Sequence, residues 1–295
     1  MEAGLPIDVL LPIVIALMML AVGMGLRPAD FRAVAAAPLA AGIGLLGMFI
    51  VFPLLAFVLA AAFRLDAALA VGLVLLAASP SASTSTMFTY LARGDVALSV
   101  ALTALSKIVP VVTVPAYVSL AALAFAGERL EVHISFAETS EAIVTTILLP
   151  TLAGMALRRY PAAAAFRPHV ARVSVALLVA LIAVLAWRER SALPAMFASV
   201  GPAALALCVL GMASAFAAAS LVRLPRGSRS ALTIEVGMQS GGTSIAIAAG
   251  VLGAPTMAVP AAVYSLIMYA AAALFVLLER AGERAAAPDV APTGS

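Results

Sequence analysis

Across its 295 residues the chain has one cysteine, one tryptophan, one lysine and two histidines. A lone Cys208 excludes an intramolecular disulfide and any cysteine-based metal cluster. His133 and His169 are far apart and read as loop residues. Charged residues are 11% of the chain, where a soluble domain carries about a quarter. The net charge of +3 is small and its basic residues are scattered among loops, which argues against a nucleic-acid partner. No H-E-x-x-H, G-x-S-x-G or P-loop occurs, so the sequence carries no enzyme signature. The loops are too short for a nucleotide-binding domain, which disfavours an ATP-driven pump. Against these absences stands a 64% hydrophobic content, which makes the chain an all-α polytopic membrane protein.

Apolar runs of about 20 residues predict nine spans, near 7–26, 34–62, 68–92, 96–126, 134–157, 170–188, 197–222, 229–252 and 256–278. The first carries Glu2 and Asp8 instead of a basic leader, and so reads as a true span. The tail 281–295, rich in Ala and Pro, is expected to be disordered. Arg27, Arg32, Arg93, Arg158, Arg159, Arg167, Arg172, Arg223, Arg226, Arg229, Arg280 and Arg284 fall in alternate loops or the tail. Placing them in the cytoplasm predicts an outside N-terminus and a cytoplasmic C-terminus in a bacterial inner membrane.

An ungapped repeat runs at an offset of 159 residues. Arg64-Leu65 matches Arg223-Leu224, Thr84-Ser85 matches Thr243-Ser244, and Ser81, Gly94 and Ser106 match Ser240, Gly253 and Ser265. The offset crosses five spans, an odd number, so the copies are inverted. The expected organisation is a first repeat at 1–126 with a break at 79–84, and a connecting span at 127–169. A second repeat follows at 170–280 with a break at 240–243. Paired broken helices in inverted repeats are a signature of secondary transporters.

The chemistry gathers at these breaks. Glu235 lies within an apolar span, where an ionised carboxylate costs at least about 2.5 kcal/mol and by default marks function. Gln239 follows one helical turn later on the same face, and Gly241-Gly242 permits a helix break. In span four, Ser99, Thr103 and Lys107 form one polar stripe. The hydroxyls suit a small hard cation, or else bond back to their own helix. Lys107 lies about 18 Å of helix from the Arg93-Gly94-Asp95 hairpin, near mid-bilayer, and needs a partner there. Glu235 is the acidic residue at comparable depth, so a purely structural ion pair is the bland alternative.

Ser79-Pro80-x-x-x-x-Ser85, followed by Met87-Phe-Thr-Tyr-Leu-Ala-Arg-Gly-Asp-Val-Ala-Leu-Ser99, and Thr233-Ile-Glu-Val-Gly-Met-Gln239 resemble the bile acid:sodium symporter (BASS) family. Met24-Gly-Leu-Arg-Pro-Ala-Asp-Phe31 fits as well, and the resemblance is to its nine-span members. It implies crossed discontinuous helices, a core domain of spans two, three, four, seven, eight and nine, and a panel domain of spans one, five and six. It also implies a first sodium site at Ser85, Thr86, Ser99, Thr103 and Glu235, and a second at Glu235, Val236, Met238 and Gln239. The chain departs from the family pattern at four places. Thr86 stands where an Asn is usual, Met48 where a further Gln is expected, and Ser240 where an Asn follows Gly-Met-Gln. Lys107 replaces a small hydroxyl residue.

The function expected is secondary active transport of a small organic anion, bile-acid-like or a carboxylate, coupled to sodium. Proton coupling enters if Lys107 serves as a built-in cation beside Glu235. Ser81, Ala82, Ser240, Gly241 and Gly242 are expected nearest the substrate crevice, and no cofactor beyond the coupling ion is expected. Two rivals remain at this point. One is an arsenite-type permease of related fold, which would need a reactive cysteine at a broken helix. The other is a receptor or scaffold that has lost transport.

Overall fold

A computed structural model describes residues 7–25, 34, 36–125, 141, 144–188, 191 and 193–286. Its regular elements are helices, and no strand is formed among the described residues beyond one isolated bridge. The helices are α1 (Ile7–Gly23), α2 (Pro38–Leu46), α3 (Phe52–Ala62), α4 (Ala67–Ala78), α5 (Ser85–Leu91), α6 (Val96–Leu105) and α7 (Pro110–Phe125). They continue as α8 (Leu149–Leu157), α9 (Pro161–Arg188), α10 (Leu193–Leu221), α11 (Arg226–Gly237), α12 (Gly241–Ala246) and α13 (Val259–Ala286). Wide π-turns at Gly47–Val51, Val144–Leu148 and Ile247–Val251 join or extend apolar helices without ending them.

Several boundaries have a visible cause. Asp95 caps α6, its carboxylate accepting from the Leu98 amide at 3.0 Å. α4 is wholly apolar and stops at Ala78, where Ser79 turns extended ahead of Pro80. Arg64 and Arg223 adopt the left-handed conformation, with φ 51° and 55°, and each turns the chain into the next helix. Those two residues are 159 positions apart, as are the starts and the ends of α4 and α11, each 12 residues long.

Four expectations shift. The second break falls at Met238–Ser240, not 240–243, because α11 ends at Gly237 and Gly241-Gly242 already begin α12. Gln239 is therefore not on the helix face of Glu235. Lys107 does not continue the Ser99–Thr103 stripe either: α6 ends at Leu105, and α7 departs at 64° beyond the break that holds Lys107. Pro110, which lacks an amide hydrogen and disfavours helix at the residue before it, accounts for this bend. His169 lies within α9 and not in a loop, and α13 continues to Ala286, past the expected start of a disordered tail. His133, Arg27, Arg32 and residues 287–295 lie outside the described residues.

The helices pack in two groups. α1 lies against α8 and α9. Glycines bring the first pair together: a Cβ at Gly23 would overlap the Thr151 carbonyl, and one at Gly154 the Leu20 carbonyl. The other group joins α10 to α11 and α13, and α4 to α3, α7 and α13. α1 also touches α12 and the π-turn after it, so the groups meet beside the second break. Among the described residues, three helical stretches are long and apolar enough to cross a membrane: Pro38–Ala62, Phe197–Leu221 and Pro255–Gly282. The bent pair α6–α7 makes a fourth if counted as one span.

Candidate functional site

The two breaks meet as a short antiparallel bridge. Ser81 pairs with Gln239, the Ala82 amide donates to the Met238 carbonyl at 2.8 Å, and the Ser240 amide to the Pro80 carbonyl at 2.8 Å. Backbone groups freed by the interruptions thus satisfy one another, with Ser81, Met238 and Gln239 fully buried. Further braces come from side chains the sequence did not single out for function. Ser106 accepts from the Ser81 amide at 3.1 Å and donates to the Thr103 carbonyl at 2.8 Å. The fully buried Tyr264 donates to the Gly237 carbonyl at the end of α11, at 2.7 Å. Ser106 and Ser265, the neighbour of Tyr264, are repeat partners, the one signal in the sequence that could have found these braces.

At this crossing the Glu235 side chain is fully buried. Its Oε1 accepts from Ser99 at 2.5 Å, Ser85 at 2.6 Å and Thr103 at 3.0 Å; its Oε2 accepts from Ser81 at 2.6 Å and Thr103 at 3.1 Å. Thr86 joins the ring through Ser99, 3.2 Å away, and Ser85 lies 3.3 Å from Thr103. The five residues expected to form the first cation site are therefore one connected cluster, supplied by α5, α6 and α11. Each charge-assisted hydrogen bond is worth about 1.5–3 kcal/mol, so four hydroxyls offset the burial of the carboxylate without neutralising it. One carboxylate with four hydroxyl oxygens is a hard-oxygen donor set, suited to a small cation such as sodium.

The second expected group is built from the break itself. The Met238 carbonyl accepts from Ser81 at 3.1 Å and from Ala82. The Val236 carbonyl accepts from Gln239 Nε2 at 3.0 Å, which fixes the amide orientation and leaves Gln239 Oε1 buried without a partner. A buried, unpaired acceptor costs roughly 1–3 kcal/mol and is satisfied by a cation or a water. Met48 is buried in the π-turn of Gly47–Val51, whose Gly47 faces Val236, and it brings no oxygen ligand.

Lys107 is 7% exposed and donates to the Ser81 carbonyl at 2.6 Å. Among the described residues no ion pair joins it directly to Glu235. Ser81 stands between them, its carbonyl on the ammonium and its hydroxyl on the carboxylate. Ser81 is accordingly fully buried against Glu235, and Ala82 beside it is buried. Ser240 is half-buried, its hydroxyl 2.7 Å from that of Thr243. Gly242 is half-buried; Gly241 is buried where a Cβ would overlap the Ser265 hydroxyl. Cys208 is fully buried in α10.

A cavity of about 170 Å³ adjoins this cluster, lined by Ser83, Thr86, Thr103 and Lys107 on one side and by Val22, Gly25 and Arg167 on the other. It therefore lies between the two helix groups.

Residues 12–195 match the family described as the sodium bile acid symporter family. The chain is 31% identical over 261 residues to the uncharacterized sodium-dependent transporter YocS of Bacillus subtilis, covering 86% of this chain and 78% of that protein. It is 28% identical over 256 residues to the probable chloroplastic sodium/metabolite cotransporter BASS2 of Oryza sativa, covering 85% of this chain and 59% of that protein. It is 27% identical over 228 residues to the human sodium/bile acid cotransporter 4, covering 75% of this chain and 51% of that protein.

Proposed function

Because the chain belongs to the sodium bile acid symporter family, a family of transporters and not enzymes, we propose that it is a sodium-coupled symporter of a small organic anion. The observation that carries this reading is the fully buried Glu235 carboxylate, ringed by four hydroxyl donors at the crossing of two broken helices. Sodium would sit among Ser85, Thr86, Ser99, Thr103 and Glu235. A second ion, or a water, would take Gln239 Oε1 with the carbonyls of Val236 and Met238. Binding there would draw α5, α6 and α11 together and set the crossing for substrate.

The same reading assigns α1, α8 and α9 to a panel and the remaining helices to a core that rocks against it. Two inverted repeats support that division. Shifting by 159 residues carries Pro80 onto Gln239 and Ser81 onto Ser240, so the antiparallel bridge is complementary to its own repeat. A nine-span arrangement with an outside N-terminus follows from the basic loops, and a bacterial cell membrane from the Bacillus relative. Lys107 is a tether in this scheme. It holds the first break through Ser81 and leaves the charge of Glu235 to a mobile ion.

Thermal unfolding of the purified protein provides the test. Sodium, compared with choline at equal ionic strength, raises the Tm of the wild type and leaves that of Glu235→Gln unchanged. Equal Tm values in both salts for the wild type would remove the sodium site.

A further inference from the structure

Among the described residues, the cavity beside the cation cluster carries two positive side chains and no acidic one. Lys107 is more than nine-tenths buried, and one hydrogen bond, to the Ser81 carbonyl, leaves two of its three donors available. Arg167 enters from α9 on the opposite wall, and among the described residues no carboxylate pairs with it. Its head lies on a glycine: a Cβ at Gly25 would fall 2.5 Å from Nη2 and 2.9 Å from Cζ. Ser83, Thr86 and Thr103 add hydroxyls, and Val22, Val100 and Ala104 supply the apolar remainder.

Two unopposed cations across a small cavity favour a ligand with two negative groups: the buried Lys107 ammonium calls for a paired charge, and the exposed Arg167 guanidinium can offer its planar fork to a second carboxylate. Size decides the scaffold. A cavity of about 170 Å³ is close to the roughly 150 Å³ that holds benzene, and well below the roughly 300–1,000 Å³ of sites for drug-sized ligands. A four- or five-carbon acid is held whole at that scale, whereas a steroid would extend out through the open side. We propose that this cavity is the substrate site and selects a short dicarboxylate, one carboxylate on Lys107 and the hydroxyls, the other on the Arg167 guanidinium. The inference rests on the organic-anion symporter reading and narrows its substrate class. It also gives the site two walls on different helix groups, so the bound dianion links α9 to the break that Lys107 tethers. Arg167 looked like a cytoplasmic loop charge in the sequence, and only the fold turns it toward the crossing.

Isothermal titration calorimetry on the full chain in detergent and sodium buffer tests this, with malate, butyrate and taurocholate as probes. Malate binds, and butyrate and taurocholate bind at least tenfold more weakly. Arg167→Gln weakens malate at least tenfold while butyrate changes less than twofold, and Arg167→Lys restores part of the loss. Gly25→Ala, which keeps the charge but displaces the guanidinium, weakens malate several-fold. Unchanged sodium-dependent Tm values in all three variants show that each remains folded with its cation site intact. Tighter binding of taurocholate or butyrate than of malate, or indifference of malate to Arg167→Gln, overturns the dicarboxylate assignment and leaves the symporter reading standing. Absence of binding by all three anions, with sodium still raising the Tm, overturns the assignment and counts against organic-anion transport itself.

Discussion

Lys107 reaches Glu235 through a single residue: Ser81 accepts the ammonium on its carbonyl and donates its hydroxyl to the carboxylate, both at 2.6 Å. The buried cation and the buried anion are thus connected without forming an ion pair among the described residues. That arrangement separates two roles which the sequence alone had merged. On the proposed reading the carboxylate serves a mobile cation and the ammonium an anion.

Lys107→Gln separates the roles experimentally. A glutamine amide still donates to the Ser81 carbonyl but carries no charge. Loss of one charge-assisted contact costs about 1.4 kcal/mol or more. The substrate KM should therefore rise roughly tenfold, while the sodium concentration for half-maximal uptake stays unchanged. Uptake that is proton-driven in the wild type and loses that dependence in Lys107→Gln would instead assign coupling to the lysine.

Ser99→Ala removes the shortest hydrogen bond to Oε1 and the link to Thr86. Three hydroxyl donors remain, so the protein folds. The loss of one donor to a charged group, about 1.5–3 kcal/mol, should weaken sodium by roughly tenfold or more, read from sodium titration of the Tm. An unchanged sodium midpoint would place the ion elsewhere.

Gln239→Leu deletes a buried acceptor that has no partner, and with it the donor to the Val236 carbonyl. Leaving that buried carbonyl unpaired costs about 1–3 kcal/mol. The Tm without sodium should fall modestly, while the dependence of uptake on sodium becomes shallower. An unchanged sodium dependence would show that the amide serves the fold and not an ion.

Gly241→Ala puts a methyl group onto the Ser265 hydroxyl and within 3.0 Å of the Ala261 carbonyl. Overpacking of this kind costs about 1–3 kcal/mol. The Tm should fall, and Ser265→Gly in the same chain should recover much of the loss. Failure of that second change to recover any stability would mean the backbone contact dominates.

Much of this was legible before the fold was known, and the physical reason is the membrane. A carboxylate inside an apolar span needs partners, which singled out Glu235, and hydroxyls at helical spacing singled out Ser99 and Thr103, which do bond it. The repeat offset also reappears in the matched ends of α4 and α11. The sequence misplaced what depends on backbone detail. Pro110 ends the α6 stripe before Lys107, and Gly237 ends α11 before Gln239. Neither effect shows in a periodicity count. Arg167 was read as a cytoplasmic charge, because nothing local shows that α9 begins at Pro161 and carries it to the cavity wall. Ser81 was expected at the substrate crevice, yet its hydroxyl turns to Glu235 once the two breaks pair.

The most direct measurement is uptake of labelled malate into proteoliposomes under an imposed sodium gradient, for the wild type and Glu235→Gln. The account predicts that the wild type accumulates malate above its external concentration only with an inward sodium gradient, and that Glu235→Gln loses this accumulation. Accumulation by Glu235→Gln, or accumulation by the wild type under a proton gradient without sodium, would contradict it.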